Sequence, residues 1–310
     1  MELNTYLAID IGGSKIMCAF MLEDGTILRR LFREVPTLST FDNIWVIILD
    51  SVKELQQNGT IKFSAIGVTI PGLADPEKGE WIYAPFSNIH NIKIVDLLAK
   101  RFHVPVYIEN DVNACALAEQ HWGKCKSTPS FIWVTVSTGV GSGIILNQKL
   151  FNGAYGFAGE LGHICVEYDP DIAIPCGCGC NGCVEAMAAG PGIVKRYQKY
   201  VDTAPSGITA KQIGDLAERG DQIAQKVFEE TGIYLARALA SAVNLLNPNM
   251  IVLGGGISMR YHLFEDALKA SLQKHIIQRG NQNLQVTSTA LKYDAALYGA
   301  LTTILTRQHF

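Results

Sequence analysis

Residues Cys176 to Cys183 read CGCGCNGC, four thiols in eight positions of a 310-residue chain that carries eight cysteines in all. Such a cluster suits a metal site, disulfide bonding or a reactive thiol pair. Zinc takes four Cys and His ligands in a tetrahedron. Disulfides do not persist in a reducing cytosol. Cys180 and Cys183 have the spacing of a redox pair, but that motif opens a helix after a strand, and here it follows Pro175 in a glycine-rich run. Four thiols this close would strain to surround one ion, so three thiols and a remote ligand form the easier set. His163 is the nearest histidine upstream, which favours a Cys3His zinc site. The spacing leaves open which thiol stands outside it. Cys18, Cys115, Cys125 and Cys165 sit among apolar or mixed neighbours and read, for the most part, as small core residues.

Acidic residues offer a second kind of chemistry. The run YIENDVNACALAE places Asn110 and Asp111 where a strand gives way to a helix. A carboxylate there can cap the helix or, beside a hydroxyl, take its proton as a general base. Asn110 adds a donor and an acceptor suited to a polyol. The run AGELGH holds Glu160 and His163 three apart, and Glu185 follows Cys183 by two.

Three glycine-rich turns could hold phosphate or nucleotide. DIGGSK contains Asp10, Gly12, Gly13, Ser14 and Lys15; STGVGSG contains Ser137, Thr138, Gly139, Gly141 and Gly143. Glycines let backbone N–H groups approach an anion closely, and the hydroxyls add donors. Asp10 would repel phosphate unless a divalent cation lay between them, so Mg²⁺ held through water is expected there. Neither run fits GxxxxGK[ST], and a strand rather than a helix follows GVGSG, which excludes the P-loop and dinucleotide fingerprints. LGGGIS, with Gly254, Gly255 and Gly256, follows a strand and could pack against a purine or hold phosphate at a helix start. Each of the three is equally compatible with a plain tight turn.

The elements that must position these residues alternate between strand and helix, an α/β pattern. Strands are expected in YLAIDIGG, SKIMCAFML, TILRRLFREV, FSAIGVTI, VPVYIE, FIWVTVSTG, SGIILN, NMIVLGGG and LQVTST, with EDG as a hairpin turn. Helices are expected over 39–57, in IKIVDLLAKRF and DVNACALAEQHWG, over 184–200, 209–218 and 221–246, and in YHLFEDALKASLQKH and DAALYGALTTILT. LAIDIGGSKIMCAF and WVTVSTGVGSGIIL share the order strand, small-residue turn, strand, as a duplicated lobe would.

The hydrophobic fraction of 48% supports a sizeable core and two domains. A net charge of −3 gives no electrostatic ground for a nucleic acid or anionic-membrane partner. MELNTYLAIDIGG is not a secretory signal, and the longest apolar runs, such as IWVIIL, are far short of a bilayer span. A soluble cytoplasmic protein is expected.

Taken together and in order, DIGGSK, ENDVNACALAE, STGVGSG, AGELGHI, CGCGCNGCVE and LGGG resemble the ROK family of bacterial sugar kinases and repressors over nearly the whole chain. The resemblance implies an actin-like, hexokinase-like (ribonuclease H-like) α/β fold with two lobes and a cleft. Residues 1–113 with 294–310 would form one lobe and 114–293 the other. It implies ATP-dependent phosphorylation of a hexose hydroxyl, usually the 6-OH, with Asp111 as general base. Gly72, Asn88, Asn110, Glu160, His163 and Glu185 would meet the sugar. DIGGSK and STGVGSG would hold the phosphates with Mg²⁺, and LGGG would lie near the adenosine. Cys176, Cys178, Cys183 and His163 map onto the zinc ligands, the zinc being structural, and Cys180 falls on a variable position. Ile89–His90–Asn91 departs from the family's pattern beside the sugar pocket. Glucose is the first substrate expected, then N-acetylmannosamine, allose, mannose or fructose, and a homodimer is the expected assembly. The alternatives are a sugar-responsive regulator and a non-catalytic sugar-binding protein. Repressors of the family carry a helix-turn-helix domain ahead of the first strand, where only residues 1–4 stand here, so DNA binding is not expected.

Overall fold

The computed structural model describes residues 3–36, 39–56, 61–84 and 89–308. They fall into two compact units, Met1–Ser127 with Asn152–Phe157 and Tyr293–Phe310, and Thr128–Phe151 with Ala158–Lys292. A boundary after residue 113 would cut the helix that runs from Asp111 to His121; that helix stays whole in the first unit, and the division falls after Ser127.

The first unit holds β1 (Thr5–Ile11), β2 (Lys15–Leu22), β3 (Ile27–Glu34), α1 (Phe41–Leu55), β4 (Ile66–Ile70), β5 (Leu73–Asp75), β6 (Glu80–Ala84), β7 (Ile89–Ile92), α2 (Ile94–Phe102), β8 (Val106–Asn110) and α3 (Asp111–His121). Its main sheet has the order β3-β2-β1-β4-β8. The hairpins β1–β2 and β2–β3 are antiparallel, and β1, β4 and β8 run parallel. Successive strand side chains point to opposite faces, and β1 is buried on both. Leu7, Ile9 and Ile11 pack in one core with Ile44 and Ile48 of α1. Tyr6 and Ala8 pack in another with Leu297, Leu301 and Ile304 of the chain's last helix. Burial on both sides is why TYLAIDI reads as an unbroken apolar run rather than an alternating one.

The second unit holds β9 (Phe131–Val136), β10 (Val140–Leu146), β11 (Lys149–Leu150), α4 (Val184–Ala188), α5 (Gly190–Tyr200), α6 (Ala210–Glu218), α7 (Gln222–Leu246), β12 (Met250–Gly254), α8 (Glu265–His275) and β13 (Gln285–Ser288); α9 (Ala295–Arg307) returns to the first. The sheet order is β11-β10-β9-β12-β13, antiparallel on the β9–β10–β11 side and parallel across β9, β12 and β13. It repeats the first sheet strand for strand, so the echo between LAIDIGGSKIMCAF and WVTVSTGVGSGIIL marks two copies of one topology.

Three local expectations change. The helix expected over 184–200 breaks at Ala189, whose backbone is extended. Pro191 has no N–H for the carbonyl of Met187, which accepts a hydrogen bond from Arg196 Nε instead. The helix expected to begin at Tyr261 starts only at Glu265, after a 3-10 turn over Ser258–Leu263 and a non-helical Phe264. A three-stranded antiparallel sheet, β5-β6-β7, occupies a stretch with no expected strands.

Candidate active site

In the first unit the candidate residues lie where the parallel strands end, the side of an open α/β sheet at which ligands bind. The register pairs Asp10 of β1 with Thr69 of β4, and Thr69 with Glu109 of β8. Asp10 is buried, and its Oδ1 accepts a hydrogen bond from Thr69 Oγ1 at 2.8 Å. Burial pushes its carboxyl above the ordinary range, against the pull of the Thr69 hydroxyl and the Lys15 charge. Gly12, Gly13, Ser14 and Lys15 form the β1–β2 turn, closed by the Gly12 N–H on the Lys15 carbonyl at 2.8 Å. The Lys15 ammonium stands over the Tyr293 ring.

Asn110, rather than Asp111, caps α3. Its Oδ1 accepts from the N–H groups of Val112 and Asn113 at 2.9 and 3.0 Å. Its Nδ2 donates to the Gly72 carbonyl at 2.9 Å and to Asp111 Oδ1 at 3.1 Å. Gly72 has φ +77°, and a Cβ there would meet the Tyr83 carbonyl at 2.2 Å, so only glycine fits. Asp111 stands at the first helical position, half-buried, and its Oδ1 also accepts the Val112 N–H at 2.9 Å. Its pKa is raised to about 7, chiefly by burial and next by the charge of Asp10, against the Val112 N–H and Asn110. That is the range in which a carboxylate both exists and takes a proton at neutral pH. Asn88 lies outside the described residues. Of the departing segment Ile89–His90–Asn91, His90 tilts against the Tyr83 ring at 5.1 Å.

Glu109, which the sequence reading passed over, is almost fully buried. It accepts from the Asn110 N–H at 3.0 Å and from Arg307 Nη2 at 2.6 Å, while Arg307 Nη1 donates to the Ile108 carbonyl. The end of α9 is thereby tied to the strand that presents Asp111. An acid inside the otherwise apolar strand VYIEN was the available signal; a lone buried carboxylate is costly without a partner.

In the second unit, Ser137, Thr138 and Gly139 form the turn between β9 and β10, with Gly141 and Gly143 inside β10. Gly254, Gly255 and Gly256 end β12 beside it. A Cβ on Gly255 would meet the Val136 carbonyl at 2.5 Å, and one on Gly256 would lie 3.9 Å from Ser137 Oγ. Glu185 is the second residue of α4, two after Cys183, and its Oε2 accepts the Val140 N–H at 3.0 Å. Glu160 and His163 are exposed and flank a 3-10 turn anchored by the buried Leu161.

His163, Cys176, Cys178 and Cys183 bring their ligand atoms within 4.8 Å of one another, and Cys180 is not among them. Cys176 Sγ lies 3.7 Å from His163 Nδ1, and Cys178 Sγ lies 3.7 Å from Cys183 Sγ. Zinc–ligand bonds of about 2.3 Å to sulfur and about 2.0 Å to nitrogen give tetrahedron edges of about 3.8 Å between sulfurs and about 3.5 Å from sulfur to nitrogen. The four residues therefore fit a tetrahedral ion. Nδ1 faces the thiols while Nε2 lies 3.7 Å from Glu160 Oε2. The Cys178 thiol is drawn down to about 7, first by the Cys180 N–H and then by Cys176, so it ionises readily; burial and neighbouring thiols push Cys183 up to about 12, a cost that a bound cation would remove. Cys18, Cys115 and Cys125 are core residues; Cys165 is only half-buried, beside Cys183 in an isolated bridge. A cavity of about 610 Å³ in this unit, lined by Arg196, Tyr200, Glu230, Tyr234 and Arg237 among others, contains none of the candidate residues.

The two α/β units share one topology and carry glycine turns at corresponding hairpins. The chain belongs to the ROK family, which matches residues 6–307. It is similar to the glucokinase of Thermotoga maritima, at 29% identity over 313 residues and 97% of each chain. It is also similar to the N-acetylglucosamine repressor of Shigella flexneri, at 34% identity over 239 residues, 75% of this chain and 58% of that protein. A solved ROK family glucokinase from Streptomyces griseus, in complex with glucose and AMPPNP, superposes with a TM-score of 0.84 at 29% identity, covering 96% of this chain and 98% of that one. The fold is the actin-like α/β fold of such hexokinases. Among the described residues no helix is long and apolar enough to cross a membrane.

Proposed function

We propose that this protein is an ATP-dependent sugar kinase that phosphorylates a hexose on its 6-OH, with Asp111 as general base. One observation carries it: a carboxylate with a pKa of about 7, at the end of a parallel strand, its Oδ1 held by Asn110 Nδ2 and the Val112 N–H. Asp111 takes the proton of the sugar hydroxyl as that oxygen bonds to the γ-phosphorus and the bond to the ADP oxygen breaks. Phosphoryl transfer asks for positioning and charge neutralisation more than covalent help. Gly12, Gly13, Ser14 and Lys15 in the first unit, and Ser137, Thr138, Gly139 and Gly141 in the second, are assigned to the phosphates, and Gly254, Gly255 and Gly256 to the adenosine. Asp10, buried and raised in pKa, is assigned to Mg²⁺ through water; a divalent cation would offset the repulsion that Asp10 exerts on Asp111 and on phosphate. Glu160, His163 and Glu185 are assigned to sugar hydroxyls, with Gly72, Asn88 and Asn110 contributing from the first unit. Zinc on His163, Cys176, Cys178 and Cys183 would fix the imidazole by Nδ1 and leave Nε2 free for a hydroxyl, a structural role.

Glucose is the first candidate, followed by N-acetylmannosamine, allose, mannose and fructose. A cytoplasmic homodimer belongs to the same proposal, with sedimentation as its check. The 34% identity to a repressor favours a second reading, a sugar-responsive regulator. ADP release with each of the five sugars separates the two. Sugar-dependent release supports the kinase, and binding of a sugar with no release from any supports the regulator.

A further inference from the structure

Glu185 joins three parts of the second unit. It stands two residues after the thiol of Cys183, it is assigned to the sugar, and its Oε2 accepts the N–H of Val140 at the end of the STGVGSG turn. The contact is tight: a Cβ on Gly139 would come within 2.6 Å of the same oxygen. Among the described residues Oε1 has no hydrogen-bond partner. One carboxylate therefore has one oxygen committed to the phosphate turn and the other open.

We infer that Glu185 couples the two substrates, so that a sugar hydroxyl on Oε1 fixes the side chain and, through Oε2, fixes the turn that receives the nucleotide phosphates. This rests on the sugar-kinase reading and adds a thermodynamic link that contact with the sugar alone does not require. A hydrogen bond from an N–H to a carboxylate is charge-assisted and roughly twice as strong as a neutral one. A half-exposed glutamate holding only that bond retains rotamer freedom. Closing the second bond removes this freedom once, and the nucleotide then binds a turn already ordered. The coupling is positive and reciprocal: sugar tightens nucleotide and nucleotide tightens sugar by the same factor. The glycine at 139 is then required for the passage of the carboxylate as well as for access of phosphate.

The test is a binding cycle with AMPPNP and Mg²⁺, measured with and without the sugar from the panel that gives the highest turnover, in the parent, Glu185→Asp and Gly139→Ala. In the parent, saturating sugar tightens AMPPNP by a factor in the usual allosteric range of about 5–150. Aspartate, one methylene shorter, cannot span both partners, and an alanine Cβ at 139 pushes the carboxylate off the Val140 N–H while leaving its charge and length unchanged. Both variants bring the factor to within about twofold of unity, with saturating sugar still bound and zinc content unchanged. A parent factor of unity, or a factor retained in both variants, overturns the coupling and leaves the kinase proposal standing. Absence of sugar binding and of ADP release in the parent overturns both.

Discussion

The two units share a strand order yet hold their candidate side chains by different means. In the first, regular structure does the work. The ladder sets Asp10 opposite Thr69, and the Asn110 side chain and the Val112 N–H hold Asp111 at the start of α3. Both acids are pushed up in pKa by burial. In the second, Glu160, His163 and the three thiols lie in residues 151–183, where the only helical element is the turn Leu161–His163. Such a segment has little ladder or helix to fix it, and the four converging ligand atoms supply the constraint once an ion is bound. A duplicated topology thus fixes side chains by backbone hydrogen bonds in one copy, and in the other gathers four residues that a metal ion would fix.

The largest expected effect falls on the first unit's chemistry. Asp111→Asn should lower turnover by about 10²–10⁴-fold while sugar affinity, measured by titration calorimetry, stays within about threefold of the parent. Retained turnover would remove Asp111 as the base. The staple in the second unit is next. Cys178→Ser should weaken zinc retention by more than the ~10–100-fold typical of changes one shell further out, and Cys180→Ser should leave it unchanged. Metal content after dialysis against a chelator decides this, and equal loss in both variants would overturn the ligand assignment.

The backbone-held unit can be loosened without touching its acids. Arg307→Met leaves Glu109 without its cation. It should cost about 2 kcal/mol in denaturant titration, less than the ~3–5 kcal/mol of a fully buried pair because Arg307 is partly exposed. An unchanged midpoint would show that the pair holds nothing. The smallest effect has a definite sign. The folded-state pKa of Asp111 is raised, so its ionisation lowers stability progressively as pH rises from the ordinary carboxylate range through about 7. The full shift would correspond to about 4 kcal/mol; discounted for the solvent that reaches this half-buried side chain, Asp111→Asn should be more stable than the parent by about 1 kcal/mol at pH 8, with the gain fading toward pH 4. A gain that does not vary with pH would assign it to another cause.

The strand-to-helix junction at Asn110–Asp111, the hairpin turns and the thiol set were legible because each is short in sequence and chemically distinctive. What stayed hidden is long-range. Glu109 meets Arg307 across 198 residues, and Glu185 meets Val140 across 45. No local pattern announces either partner. The strands β5–β7 escaped because they are three to five residues long and carry Asp, Glu, His and Asn. The break at Ala189 was readable from Gly190–Pro191, since a proline there leaves the carbonyl four residues earlier without its donor. Asn110 as the cap could not be told from Asp111 by residue type, because both cap well.

In the proposed reaction a half-buried acid with a pKa near neutrality takes the proton from the sugar. The most direct measurement is the pH dependence of kcat/KM for the best sugar, with Mg²⁺ saturating throughout. A rise with pH to a plateau is expected, its midpoint at or below the value of about 7 that Asp111 holds beside an uncompensated Asp10, because Mg²⁺ at Asp10 removes part of the repulsion. A profile flat from about pH 5.5 to about pH 8.5 would contradict it, since a base titrating near 7 must change its protonation across that interval.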